Sequence, residues 1–141
     1  MDLYYVYAVK EEISKEYYYK TELLFRFFQE YHNNSHIDLY RMQFQFITKS
    51  FPERSLIHLL KEDAGFDLKE YLEDEKMTKW VEPHGIIEIT NEMCLIQCDS
   101  LMDAEQLLFH KLRMIDHCFF IAEYASRQYG WISPQRKEML L

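Results

Sequence analysis

The chain has 141 residues, with 16 Lys and Arg against 24 Asp and Glu and a formal charge of −8. That length suits one domain, residues 1–141, with an ordinary hydrophobic core. With 48% hydrophobic and 16% aromatic residues and only three Gly and three Pro, it does not read as a disordered tail, and its acidity argues against nucleic acid as a direct ligand.

The opening Met-Asp-Leu-Tyr-Tyr-Val-Tyr lacks the basic start and apolar run of a signal peptide. No uncharged apolar run approaches the ~20 residues that cross a bilayer, so no membrane role is expected. Three cysteines, an odd number, fit a reducing cytoplasm.

Leu3 to Lys10 reads as a strand dense in Tyr and Val, apolar on both faces and so central in a sheet. Glu11 to Tyr31 follows as one long helix, with Glu11 and Glu12 at the positive end of its dipole. At about 100° per residue, Ile13, Tyr17, Leu24, Phe27, Phe28 and Tyr31 share one stripe. Tyr18 and Phe25 lie to one side of it and Leu23 to the other. This apolar band is about twice the width that packing on a sheet requires. The helix is therefore expected to touch two things: the core, and either a second layer of the chain or a partner. Asn33-Asn34-Ser35 stops it.

From His36 to Phe51, Ile37, Tyr40, Phe44, Ile47 and Phe51 recur at helical spacing, while Met42, Phe44 and Phe46 alternate like a strand. The spacing of three and four holds over the full length and predicts a helix. Pro52 ends it and suits the first turn of a short helix, Glu53 to Leu60. Lys61 to Lys79 is rich in charge, with a helix expected around Asp67 to Glu73. The seven acidic residues between Glu62 and Glu75 read as a solvated helix face.

Pro83-His84-Gly85 marks a turn, and Gly85 to Thr90 and Met93 to Cys98 form a tight antiparallel hairpin. Asp99 or Ser100 caps a helix reaching about Ile115, with Leu101, Ala104, Leu107, Leu108, Leu112 and Ile115 as its apolar stripe. His117 to Tyr124 is the last expected strand, followed by the tail Gln128 to Pro134. The order is β-α-β-β-α-β with a helical insert. It predicts an α+β two-layer sandwich of the ferredoxin-like kind, with about four mainly antiparallel strands and helices on one face.

Chemistry finds little support. Cys94 and Cys98 share a strand face but stand roughly 13 Å apart, too far for a disulfide or a shared zinc ion. With Cys118, they read as small buried hydrophobes. Neither a metal nor a cofactor is expected. There is no Gly-x-Ser-x-Gly elbow and no Gly-rich phosphate loop. His84 is a candidate general base without an identified partner, and helix capping accounts for Asp99 and Ser100 beside Cys98. Aromatic residues of the first strand could stack on RNA bases, but the third strand has no aromatic at all. The wide aromatic helix remains, and Tyr-rich surfaces suit protein recognition. A protein-binding module is the leading class. The alternative is a small cytoplasmic enzyme or ligand-binding domain with its site near His84 or Cys98 to Ser100.

Four blocks occur in order: Tyr4-Tyr-Val-Tyr-x-Val-Lys-Glu-Glu12 running into Tyr17-Tyr18, Phe28-Gln-Glu-Tyr-His32, Gln43-Phe-Gln-Phe-Ile-Thr48, and Tyr129-Gly-Trp-Ile-x-Pro134. In this order and spacing the chain resembles the SirA family, sporulation inhibitors of replication in endospore-forming bacteria. The likeness covers nearly the whole chain and is loosest between Phe51 and His84. It implies a cytoplasmic, non-enzymatic, cofactor-free protein, monomeric before binding. Its implied partner is the N-terminal domain of the replication initiator DnaA, where it masks a surface another initiation factor needs. By position, the implied contacts are Ile13 and Tyr17 on the long helix and Gln43 after it, although the family has an aromatic at Ile13. Pro134 falls where family function is sensitive and, with Trp131, is read as fixing the tail. The first turns of the helix would then overhang the sheet edge. Tyr18 and Phe25 would pack under the inserted helices and bring Gln43 beside Tyr17.

Overall fold

The computed structural model describes residues 1–64, 70–73, 76–116 and 118–132. Its centre is β1 (Asp2–Ala8), paired antiparallel with β5 (Cys94–Cys98) on one side and β6 (Phe119–Glu123) on the other. Tyr4 faces Ile96 across one ladder and Val6 faces Ile121 across the other. With β2 (Glu70–Glu73), β3 (Thr78–Glu82), β4 (Gly85–Ile89) and β7 (Gln128–Trp131), the sheet has seven strands among the described residues, in the order β2-β3-β4-β5-β1-β6-β7. Every pairing is antiparallel.

The α+β class and the antiparallel sheet match expectation, and the four strands read from sequence are the adjacent run β4-β5-β1-β6. Three strands were not foreseen, so the ferredoxin-like order is not matched exactly as written. Residues 70–73 are a strand, not part of a helix, because pairing with β3 outweighs their helical propensity. Residues 67–69 of that expected helix lie outside the described residues. β7 pairs with β6, so the strand around Phe119 is not the last.

Helices cover both faces of the sheet, not one. Alternation along β1 is the cause: Tyr4, Val6 and Ala8 point into one core, while Tyr7 and Val9 point into the other. The first core is closed by α4 (Glu53–Ala64), through Leu56 and Leu60, and by the helical run Leu101–Ile115, through Ala104, Leu108, Phe109 and Leu112. The second is closed by α1 (Glu11–Tyr17), α2 (Thr21–Asn33) and α3 (Asp38–Ile47), through Ile13, Leu24, Phe25, Phe28, Tyr31 and Phe44. Full burial of a side chain such as Phe28 contributes roughly 2–3 kcal/mol.

The helical run after β5 begins as expected, with the Ser100 hydroxyl accepting from the Asp103 N–H. It comprises α5 (Leu101–Ala104), a π-helical turn (Glu105–Phe109) and α6 (His110–Ile115). The wider turn shifts the phase of everything after it. Lys111, after that turn, points inward, while Leu101, ahead of it at the start of the run, faces solvent although the apolar stripe placed it inside.

Candidate protein-docking surface

The expected single helix from Glu11 to Tyr31 is two helices joined by an elbow at Tyr18, Tyr19 and Lys20. Three consecutive tyrosines are indifferent helix formers, and tertiary contacts complete the break. In a continuous helix the Tyr18 carbonyl would accept from the backbone four residues on. Here it accepts the Trp131 indole N–H at 2.9 Å. The Tyr18 ring also stacks on that indole, with centroids 5.9 Å apart and planes 9° from parallel. Lys20 N–H turns back to the Tyr17 carbonyl at 2.9 Å, and its ammonium lies 5.4 Å from the centre of the Tyr17 ring.

This geometry explains the excess width of the apolar band. Phe28 of α2 stacks on Tyr7 of β1 at 4.1 Å and 2°. To one side Tyr31 stacks on Phe44 of α3. To the other, Phe25 stacks on Tyr129 of β7 at 4.5 Å, beneath the guanidinium of Arg127. The second layer is thus part of the chain itself. Phe25 and Tyr18 pack toward β7, not under the inserted helices. It is the opposite flank of α2 that meets α3. Leu23, on the other side of the apolar stripe from Tyr18 and Phe25, is exposed.

α3 is held against the start of α1 by backbone. Lys10 N–H donates to the Ile47 carbonyl at 3.0 Å, Lys49 N–H donates to Ala8 at 2.9 Å, and Val9 bridges Thr48. On α3, Phe44 faces the core, with Tyr40 and Ile47 packed half-buried beside it. Arg41 turns to the β4–β5 turn, where it meets Glu92 at 3.9 Å. Steps of about 100° place Gln43 on the flank opposite Arg41, next to Tyr40 and Ile47. Gln43 is exposed, and beyond it Leu39, Met42 and Phe46 form an exposed apolar stripe. The Lys10 ammonium lies 5.3 Å from the Phe46 ring centre.

The expected contact residues therefore differ in exposure. Tyr17 is half-buried, with its ring at the margin of the second core. Gln43 is fully available. Ile13 is only 8% exposed and belongs to that core, so the first turns of α1 do not overhang the sheet. Beside it, buried Ser14 donates its hydroxyl to the Glu11 carbonyl at 2.8 Å and lies 3.3 Å from the Cys118 sulfur. Trp131 is half-buried and braces the elbow; Pro134 lies outside the described residues. The exposure of Leu39, Met42 and Phe46 was not foreseen. They fall off the stripe that marks the core face of α3, and an apolar residue there gives no local sign of being left uncovered.

The alternative site carries no activated group. Cys98 is buried, its thiol pushed up from the usual range by desolvation, and it donates to the Ser100 carbonyl at 3.3 Å. A nucleophilic thiol needs the opposite shift. Ser100 is occupied as a helix cap, and His84 sits exposed in the β3–β4 turn. Cys94, Cys98 and Cys118 are free and buried. Among the described residues no three His, Cys, Asp or Glu side chains gather as a metal site. Nor, among them, is any helix long and apolar enough to cross a membrane.

Comparison with known proteins places the chain in a family. Residues 3–136 match the family described as Sporulation inhibitor of replication protein SirA. Over 143 aligned positions the chain is 27% identical to the Sporulation inhibitor of replication protein SirA of Bacillus subtilis (strain 168), spanning 95% of each chain. The chain belongs to the SirA family.

Proposed function

We propose that this chain restrains the initiation of chromosome replication during sporulation by binding the N-terminal domain of the initiator DnaA. Docking there masks a surface that another initiation factor needs. In this reading the chain is a cytoplasmic binder, monomeric until it meets its partner, and neither an enzyme nor a cofactor protein. The observation that carries it is the family match across residues 3–136, whose described role is inhibition of replication. The surface supports it: half-buried Tyr17 offers a rigid ring edge, exposed Gln43 offers an amide, and the uncovered Leu39, Met42 and Phe46 stripe flanks the amide. Large exposed apolar groups rimmed by polar ones suit protein contact. Ile13 serves this site by seating α1, not by touching the partner.

The test is binding of purified wild type, Tyr17→Ala and Gln43→Ala to the isolated N-terminal domain of DnaA. Losing a central interface Tyr commonly costs ~2 kcal/mol, about a thirtyfold weaker affinity. Wild type that fails to bind at micromolar concentration would overturn the proposal.

A further inference from the structure

The elbow between α1 and α2 has no glycine, proline or side-chain cap to define it. What defines it comes from the far end of the chain. Trp131 contributes two contacts of different kind, the indole N–H to the Tyr18 carbonyl and the ring stack on Tyr18. Its other side is fixed, because the indole meets Phe120 edge-on at 5.2 Å and Phe120 is fully buried. β7 is in turn laddered to β6, with Trp131 opposite Phe120. A residue of the edge strand, itself seated on buried Phe120, thus holds the carbonyl immediately after Tyr17. Tyr19, the next residue, is 93% exposed and meets the Tyr18 ring edge-on at 5.1 Å from the solvent side.

We propose that Trp131 is a positioning residue for docking: it locks the Tyr18 to Lys20 elbow so that α1 presents Tyr17 in its binding geometry before the partner arrives. This rests on the reading of Tyr17 as a contact. Without the indole N–H, the Tyr18 carbonyl loses its protein donor, and the elbow exchanges among conformers of which only some are competent. Apparent affinity then falls by the competent fraction. The loss appears in the association rate, because a complex once formed still holds Tyr17. Removing a contact itself acts mainly on dissociation.

Trp131→Phe keeps an aromatic ring on Tyr18 and deletes only the N–H and part of the area. Surface plasmon resonance on the DnaA N-terminal domain should show an association rate about tenfold lower with dissociation near wild type, as for a competent fraction of ~0.1. Tyr17→Ala should instead raise dissociation. Trypsin should cleave after Lys20 several times faster in Trp131→Phe, with cleavage after Arg26 unchanged. A folded Trp131→Phe with wild-type rates and wild-type cleavage overturns the proposal while leaving the Tyr17 reading in place. A rise in dissociation alone makes Trp131 a direct contact and also overturns it. Wild type that does not bind removes both. Should Trp131→Phe fail to fold, Tyr18→Ala tests the same brace from an exposed position. Faster cleavage after Lys20 with slower association supports the lock, and weaker binding without faster cleavage overturns it.

Discussion

The ring of Tyr31 lies flat on that of Phe44, with centroids 4.1 Å apart and planes 12° from parallel. This pair joins α2 to α3, and Phe44 also meets Tyr7 edge-on at 5.9 Å. Phe44 neighbours Gln43 but points about 100° round the helix from it, into the core. Phe44→Ala is therefore expected to remove ~3–5 kcal/mol of stability. It should also weaken partner binding while Gln43 stays in place chemically, because α3 loses its seat. Urea denaturation and binding measured well below the unfolding midpoint check both parts.

The exposed stripe of α3 should behave in the opposite way. Met42→Ser and Leu39→Ser change solvent-facing groups, so stability should move by no more than about 0.5 kcal/mol. Binding to the partner should weaken in both. Met102→Ser and Met114→Ser, exposed on the helices of the other face, serve as controls and should bind as wild type. Equal effects from the two sets would mean that the docking face has been misplaced.

His32, exposed at the rim of the second core, gives that rim a modest pH dependence. Its ring stacks on Tyr124 at 4.6 Å and meets Tyr5 edge-on at 4.8 Å. Desolvation there holds its pKa below the ordinary 6.5. The unfolded chain thus takes up the proton first as pH falls. The neutral-ring contribution is complete above about 6.5 and is lost as pH drops from there through the folded value. His32→Phe keeps the ring contacts and should flatten stability between pH 7 and pH 5. At lower pH Glu105 acts with the same sign, its carboxyl held below the usual range by hydrogen bonds from Arg113. Urea midpoints against pH for wild type and His32→Phe provide the measurement.

Lys111 is 5% exposed, and its ammonium reaches Asp63 of α4 at 3.0 Å. A buried cation with one carboxylate partner is weak evidence of stabilisation, since an apolar side chain of similar length often serves as well. Lys111→Met is expected to leave stability unchanged or raised. Asp63→Ala, which takes away the carboxylate and leaves the His110 ring nitrogen at 3.5 Å, should lower it by ~1 kcal/mol. Thermal unfolding of the two variants beside wild type separates them by sign.

How much of this was readable in advance depended on how local the cause was. The β4–β5 hairpin, the Ser100 cap and α4 after Pro52 rest on neighbouring residues, and each stands close to where periodicity puts it. The elbow does not, because its decisive partner lies 113 residues away in Trp131. Likewise β2 and β3 exist by pairing with each other and with β4, which no helical-wheel count over a charged segment can register. At the site, Tyr17 and Gln43 were named through family likeness. Their different exposures, and the burial of Ile13, follow from how α1 and α3 meet. The apolar width of Glu11 to Tyr31 did foretell a second neighbour, and that neighbour proved to be β7 and α3 together.

β1 has a consequence for how this protein can be altered. Its odd and even side chains enter separate cores, so the helices proposed to meet a partner and the helices on the far face pack into different clusters on either side of it. Substitutions on the two sides, for example Phe44→Leu and Leu108→Val, should add in free energy to within ~0.3–0.5 kcal/mol, as independent sites do. A double-mutant cycle across β1 should close near zero, whereas one between Phe44 and Tyr31 should not. The layer of α1, α2 and α3 can then be retuned one residue at a time, and a compensating change behind the sheet will not restore what such a change costs.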